Sequence, residues 1–318
     1  MITKLNALSA MTTVVSDTAD IASVRRINPT DCTTNPSIVF KAVSNPEFKE
    51  TFQEAIAWGE RQNFCEEYRV RAIADRLAVS VGAALVEIVP GRVSTEVDAD
   101  FSFDVQGSIT QAQSIIADYE SRNIPRERIL VKLAATWEGA QATKILQQRG
   151  IDCNLTLIFN KVQAIACADA GAFLISPFVG RITDWYKKFN GISSYPIEQD
   201  PGVISVREIY NYYKANNVKT VIMGASFRSQ SQVEALAGCD CLTVAPEILE
   251  GLKSSFGPIN RILSPDNFRS EAAIEINEAR FRWEMNQDAM ATELLTSGIR
   301  GFAADLIKLH DLIRKKLT

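Results

Sequence analysis

A chain of 318 residues with 46% hydrophobic side chains can bury a large core. Its formal net charge of −4, with no long basic run, argues against a nucleic-acid partner. The single histidine, His310, excludes an intramolecular Ser-His-Asp triad and any metal site built on two histidines. His310 itself falls in a charged C-terminal helix, where a surface position is expected. No apolar stretch reaches bilayer length, so no membrane partner is expected, and the first residues lack the apolar run of a signal peptide. Cys32, Cys65, Cys153, Cys167, Cys239 and Cys241 are scattered, as reduced thiols in a cytoplasmic protein would be. Only Cys239 and Cys241 lie close together, without other soft ligands, and core filling is the expected role. No cofactor and no metal site are expected, although a carboxylate-bound Mg²⁺ stays open at this point.

In chain order, residues 1–12 read as a short helical lead-in. Thr13-Val14-Val15-Ser16-Asp17-Thr18 reads as a strand ending in an acid, where Asp17 either caps the segment 18–24 or projects from the strand's end. Asp31-Cys32-Thr33-Thr34-Asn35-Pro36 is a second short strand, stopped by its proline, and turn chemistry competes with binding as the role of Asn35. Residues 45–87 read as two long helices. Phe48, Phe52, Ile56 and Trp58 mark the first apolar stripe, and Val70, Ile73, Leu77, Val81, Leu85 and Ile88 mark the second. In the next strand, 92–98, alternation sets Ser94, Glu96 and Asp98 on one face, where a carboxylate is costly without a partner or a task.

After a helix over 108–122 comes Ile129-Leu130-Val131-Lys132-Leu133-Ala134, an apolar run with one ammonium group in its middle. Period 2 puts Leu130 and Lys132 on the face opposite Ile129, Val131 and Leu133. Continuous apolar runs belong to buried parallel strands, so Lys132 points into a packed interior. Burial disfavours the charged form of an amine, and the free amine attacks carbonyls. A paired or solvated lysine at a strand end is the competing reading.

Thr136 then caps a helix that runs to Gln148, with Gly150 as its stop. The remaining strands fall in 153–158, 172–178, 220–228 (strand seven with its loop) and 241–246, with helices over 160–170, 206–216 and 247–254. Val179, Gly180 and Arg181 close the sixth strand, and helix resumes at Asp184. Residues 191–202 form the longest expected loop, and the region from 277 onward is helical. Eight short strands alternating with helices specify a parallel sheet. In roughly 250 residues they fit a closed (β/α)₈ barrel. The expectation is α/β: one barrel domain over 1–318 with extra N- and C-terminal helices, the region from about 277 packed on it. A doubly wound open sheet is the alternative, but no G-x-G-x-x-G follows any strand.

In such a barrel, chemistry sits at the C-terminal strand ends. Those ends carry Asp17, Asn35, Glu96, Lys132, Asn154 with Thr156, Ser176, and Ser226 with Arg228. A desolvated lysine beside carboxylic acids is equipped for Schiff-base chemistry on a ketone or aldehyde. Arg181 and Arg228 offer forked donors that suit a phosphate, unless they serve as inter-loop salt bridges. A phosphorylated sugar is the implied substrate.

These runs, with Gly91-Arg92-Val93-Ser94-Thr95-Glu96-Val97-Asp98, Ile175-Ser176-Pro177-Phe178-Val179-Gly180-Arg181, Met223-Gly224-Ala225-Ser226-Phe227-Arg228 and the tail Phe281-Arg282-Trp283-Glu284-Met285-Asn286-Gln287-Asp288, closely resemble the motifs of the transaldolase family. The resemblance implies transfer of a dihydroxyacetone unit between sugar phosphates in the non-oxidative pentose phosphate pathway, by a cytoplasmic homodimer without cofactor. It gives Lys132 the Schiff base and Glu96 a catalytic water that Thr156 helps to hold. Asp17 would handle the sugar hydroxyl proton. Asn35, Asn154 and Ser176 would bind the dihydroxyacetone hydroxyls, and Arg181, Ser226 and Arg228 the phosphate. Phe178 fits the transferase pattern, since related aldolases that release free dihydroxyacetone tend to carry tyrosine there.

Overall fold

The strands are β1 (Thr13–Ser16), β2 (Asp31–Thr33), β3 (Val93–Glu96), β4 (Ile129–Ala134), β5 (Cys153–Ile158), β6 (Leu174–Pro177), β7 (Val221–Gly224) and β8 (Cys241–Val244). They pair in parallel and in chain order, and β8 returns to β1 to close a barrel. The computed structural model describes residues 2–317; Met1 and Thr318, the ends of the expected 1–318 unit, lie outside them. Helices α1 (Lys4–Ser9), α2 (Ile21–Ile27), α3 (Pro36–Val43), α4 (Lys49–Glu60), α5 (Glu66–Val86), α6 (Val105–Ser121) and α7 (Trp137–Gln148) accompany the first half. The second half carries α8 (Lys161–Asp169), α9 (Gly180–Asn190), α10 (Pro201–Ala215), α11 (Gln230–Glu234), α12 (Pro246–Ser254), α13 (Glu278–Gln287) and α14 (Ala289–Leu317).

Local chemistry starts many of these helices. Asn35, Thr136, Asn160 and Asp200 each accept a first-turn amide as N-caps of α3, α7, α8 and α10. The strands follow the period-2 rule. Ile129, Val131 and Leu133 pack outward, in the main cluster between sheet and helices. Leu130 points inward, forming with Val15, Leu174, Met223 and Cys241 a separate apolar plug in the barrel's lower half. Above that plug the interior turns polar, and α14 packs across the mouth against α3, α5, α9 and β5. Its buried stripe includes Leu295, Ile299, Phe302, Leu306, Leu309 and Ile313 at helical spacing.

Several local expectations need correction. Asp20, not Asp17, caps α2, which leaves Asp17 free to project from the end of β1. Pro36 stops β2 by opening α3, since a first-turn proline lacks only an amide that the helix does not use. Arg181 lies in the first turn of α9 rather than in a loop. Strand β3 ends at Glu96, so Asp98 does not continue its inner face; Asp98 uses its backbone N–H to donate to Gln111 Oε1 at 2.8 Å. The longest irregular stretch is 255–277, not 191–202. Pro258 and Pro265 work against a helix there, and the stretch is pinned by Ala237 O, which accepts from the Ile262 and Leu263 amides. His310 lies on the buried face of α14 rather than exposed, and burial lowers its affinity for a proton.

Candidate active site

Strand register brings Glu96 of β3 directly beside Lys132 of β4, and Lys132 beside Asn154 of β5. Lys132 Nζ lies 3.1 Å from Glu96 Oε2, with the two side chains only 6% and 5% exposed. The contact joins charge to charge away from the line of a hydrogen bond, and Oε2 has no hydrogen-bond partner. Lys132 Nζ donates to the Thr34 carbonyl at 3.2 Å and sits 5.6 Å from the centre of the Phe302 ring of α14. Burial raises the Glu96 carboxyl above its ordinary range, with Lys132 opposing the shift. Glu96 is thus a stronger base than a solvated glutamate, held against an amine.

A cavity of about 180 Å³ opens above Lys132. Its wall includes Asp17, Thr33, Asn35, Thr156, Ser176, Phe178, Thr243 and Phe302. Asp17 Oδ1 accepts from the Thr33 hydroxyl at 2.8 Å, and Thr33 lies 3.0 Å from the Thr243 hydroxyl, so three strands fix the acid's orientation. Asn35 caps α3 through its oxygen, 2.9 Å from the Ile38 amide. Near the end of β5 the register shifts between Leu155 and Ile158, and Leu157 takes a left-handed φ of 58°. A bulge of this kind re-aims side chains beside a site. Here it turns Leu157 toward the α14 cluster, while the Thr156 hydroxyl stays buried with no partner.

The far end of the cavity is cationic. Arg228 Nε pairs with Asp184 at 2.9 Å, both side chains nearly half exposed, and its Nη1 donates to Ser226 Oγ at 3.2 Å. Arg181 differs from it. Burial lowers its affinity for a proton and nearby Arg228 adds to the effect, yet among the described residues no carboxylate reaches ion-pair distance of its guanidinium. Its charge rests over the Phe178 ring, 5.0 Å from the centroid. Gly180 permits this convergence, since a Cβ there would stand 2.3 Å from the Ser226 carbonyl oxygen. Among the described residues no group of three or more acidic, cysteine or histidine side chains could hold a metal ion, and no helix is long and apolar enough to cross a membrane.

The family described as transaldolase/fructose-6-phosphate aldolase matches residues 14–313. The chain belongs to that family. It is 61% identical over 318 residues to a transaldolase of Agrobacterium fabrum, covering 100% of this chain and 99% of the relative. A transaldolase of Rhizobium etli is 59% identical over 317 residues, covering 100% and 98%. "Transaldolase 1" of Pectobacterium atrosepticum is 52% identical over 314 residues, covering 99% of each chain.

Of the residues singled out in the sequence of this transaldolase-family chain, Asp17, Asn35, Lys132, Thr156, Ser176, Phe178, Arg181, Ser226 and Arg228 line the one cavity. Glu96 stands behind Lys132. Asn154 is fully buried behind the wall, where its amide donates to Ser94 Oγ at 3.1 Å and accepts from Ser176 Oγ at 2.7 Å. It orients Ser176. Three contributors escaped the sequence reading. Thr33 and Thr243 follow from inward alternation on β2 and β8, a signal that was present. Phe302 lies about 170 residues from Lys132 on a helix whose docking no local pattern shows.

Proposed function

We propose that this enzyme, a transferase of the transaldolase family, moves a dihydroxyacetone unit through a Schiff base on Lys132. The donor is a ketose phosphate, sedoheptulose 7-phosphate or fructose 6-phosphate. The acceptor is an aldose phosphate, glyceraldehyde 3-phosphate or erythrose 4-phosphate. The reaction belongs to the non-oxidative pentose phosphate pathway. The observation that carries this reading is the buried Lys132 amine at the floor of a polar cavity, 3.1 Å from a carboxylate that burial has made more basic.

The steps follow from the placement of each group. Glu96 receives a proton from Lys132, and the freed amine adds to the ketone carbon. A water positioned between Glu96 and the unpartnered Thr156 hydroxyl carries protons as the adduct loses its hydroxyl. The iminium draws electrons from the neighbouring C–C bond while Asp17, held by Thr33, takes the proton of the departing aldehyde's hydroxyl. Ser176 and Asn35 bind the dihydroxyacetone hydroxyls, with Asn154 orienting Ser176. Arg181, Ser226 and Arg228 hold the phosphate, and Arg181 gains the counter-charge it lacks in the free protein. Phe178, Phe302 and α14 keep bulk water from the enamine until the second aldehyde arrives.

Borohydride reduction with fructose 6-phosphate, followed by peptide mass spectrometry, tests the covalent step. A reduced dihydroxyacetone adduct on Lys132 supports the reading, and its absence from folded, active protein removes it. Release of free dihydroxyacetone at the full rate without acceptor would make the enzyme a lyase instead. We also propose a cytoplasmic homodimer. Five buried, unbridged thiols agree with a reducing compartment, the dimer rests on the family resemblance, and sedimentation velocity checks it.

A further inference from the structure

Glu96 has a second face. Behind it lies a chamber of about 20 Å³, walled by Glu96, Asn35, Asp75, Asp98, Ala78 and Leu306. That is room for one water, and the chamber offers the two to four polar partners a buried water needs. Asp75 and Asp98 also line an open groove of about 810 Å³ formed with residues of α4, α5 and α6. The two carboxyls therefore form a partition between the chamber and the outer surface. Gln111 braces it, donating to Asp75 Oδ1 at 2.9 Å and accepting from the Asp98 amide at 2.8 Å. Burial raises both carboxyls above the ordinary range, and a neighbouring acid adds to each shift. Carboxyls that hold a proton more readily can both donate to and accept from a passing water.

Schiff-base formation creates a water that must go somewhere. The Lys132 ammonium and the ketone give an iminium and one H₂O. Two nitrogen protons leave with the carbonyl oxygen, a C–O bond breaks as the C=N bond forms, and no net proton is exchanged. That water arises at the floor of the cavity, with the substrate between it and the mouth. We propose that the chamber behind Glu96 takes up this water and that Asp75 and Asp98 pass it to the groove beside α5 and α6, a rear exit separate from the substrate's entrance. The proposal rests on the Schiff-base reading above.

The test uses sedoheptulose 7-phosphate carrying ¹⁸O at its ketone carbon, glyceraldehyde 3-phosphate as acceptor and the full-length enzyme. The label kept in fructose 6-phosphate is read by mass spectrometry after correction for non-enzymatic exchange. A trapped water returns its label when the product imine is hydrolysed, whereas a water that leaves does not. Wild type should lose most of the label in each turnover. Ala78→Leu, which grows into the chamber, should retain severalfold more, and so should Asp75→Leu, a near-isosteric change that makes the partition apolar and covers the case that the first variant does not fold. Equal retention in wild type and both variants, or full retention in wild type, overturns the exit. Borohydride trapping on the same samples keeps the two readings apart. An absent Lys132 adduct fails the Schiff base, whereas a normal adduct with unchanged retention fails the exit alone.

Discussion

The upper and lower halves of the barrel interior are built from the same strands, two residues apart, and differ in nearly every property. On β4, Leu130 belongs to the apolar plug and Lys132 to the cavity floor; on β6, Leu174 and Ser176 divide in the same way. Just past β1, Asp17 reaches the cavity two residues beyond Val15 of the plug. Each lower residue loses water and gains contacts, which stabilises the fold. Several upper polar residues give up water for partners that satisfy them only in part: Glu96 Oε2 and Thr156 Oγ1 lack hydrogen bonds, and among the described residues no carboxylate pairs with Arg181. Stability and chemistry are thus separated by one step of the strand repeat, about 6–7 Å.

Substitutions on either side of that boundary should fail in opposite ways. Lys132→Met should lower transfer roughly 10⁴-fold or more while circular dichroism reports a folded barrel. Loss of fold alongside activity would show that the pair is structural. Leu130→Ala should do the reverse, costing about 2–5 kcal/mol in denaturant unfolding with kcat and KM of the folded fraction close to wild type. A smaller effect is expected at the cationic end. Arg181→Gln should raise KM for phosphorylated substrates roughly 10- to 100-fold, and more than Arg228→Gln, because Arg228 is nearly half exposed and shared with Asp184. Equal effects would place the phosphate nearer the rim.

The smallest change concerns His310. Its folded form binds a proton less readily than the unfolded chain does, from burial first and then from Arg314 and Arg71. The unfolded state therefore takes up the extra proton as pH falls through the ordinary histidine range, and stability drops with it. His310→Gln should flatten that acid-side fall in melting temperature and leave the neutral value within a few degrees. An unchanged slope would assign the fall to carboxylates.

Much of this layout is written in the strands themselves. The run around Lys132 fixes its own strand, its facing and its burial, because an apolar run interrupted by one charge has few other stable placements. Thr136 and Gly150 mark the limits of the following helix by cap chemistry alone. The sequence reading falls short where distance decides. Asp17 and Asp20 are both adequate caps, and only the packing of β1 shows which one is spare. His310 looks solvated because its neighbours on α14 are charged, yet the face it occupies is set by the elements beneath. Asn154 reads as a ligand by position, and what sequence does not show is that its amide also ties Ser94 to Ser176 across neighbouring strands.

The docking of α14 also bears on when the enzyme becomes reactive. Phe302 and the tie between Asp305 and Ser37 of α3 come late in the chain, long after Glu96 and Lys132 have been made. A barrel whose last helix is undocked holds the lysine in an open, wet trough. There, on the proposed Schiff-base mechanism, water would compete for every carbonyl adduct and quench any enamine as it forms. On the proposed mechanism, synthesis from the N-terminus delivers the nucleophile first and its shelter last. Half-made or partly frayed molecules should then stay chemically quiet, with a productive catalyst appearing only when the far ends of the polypeptide have met.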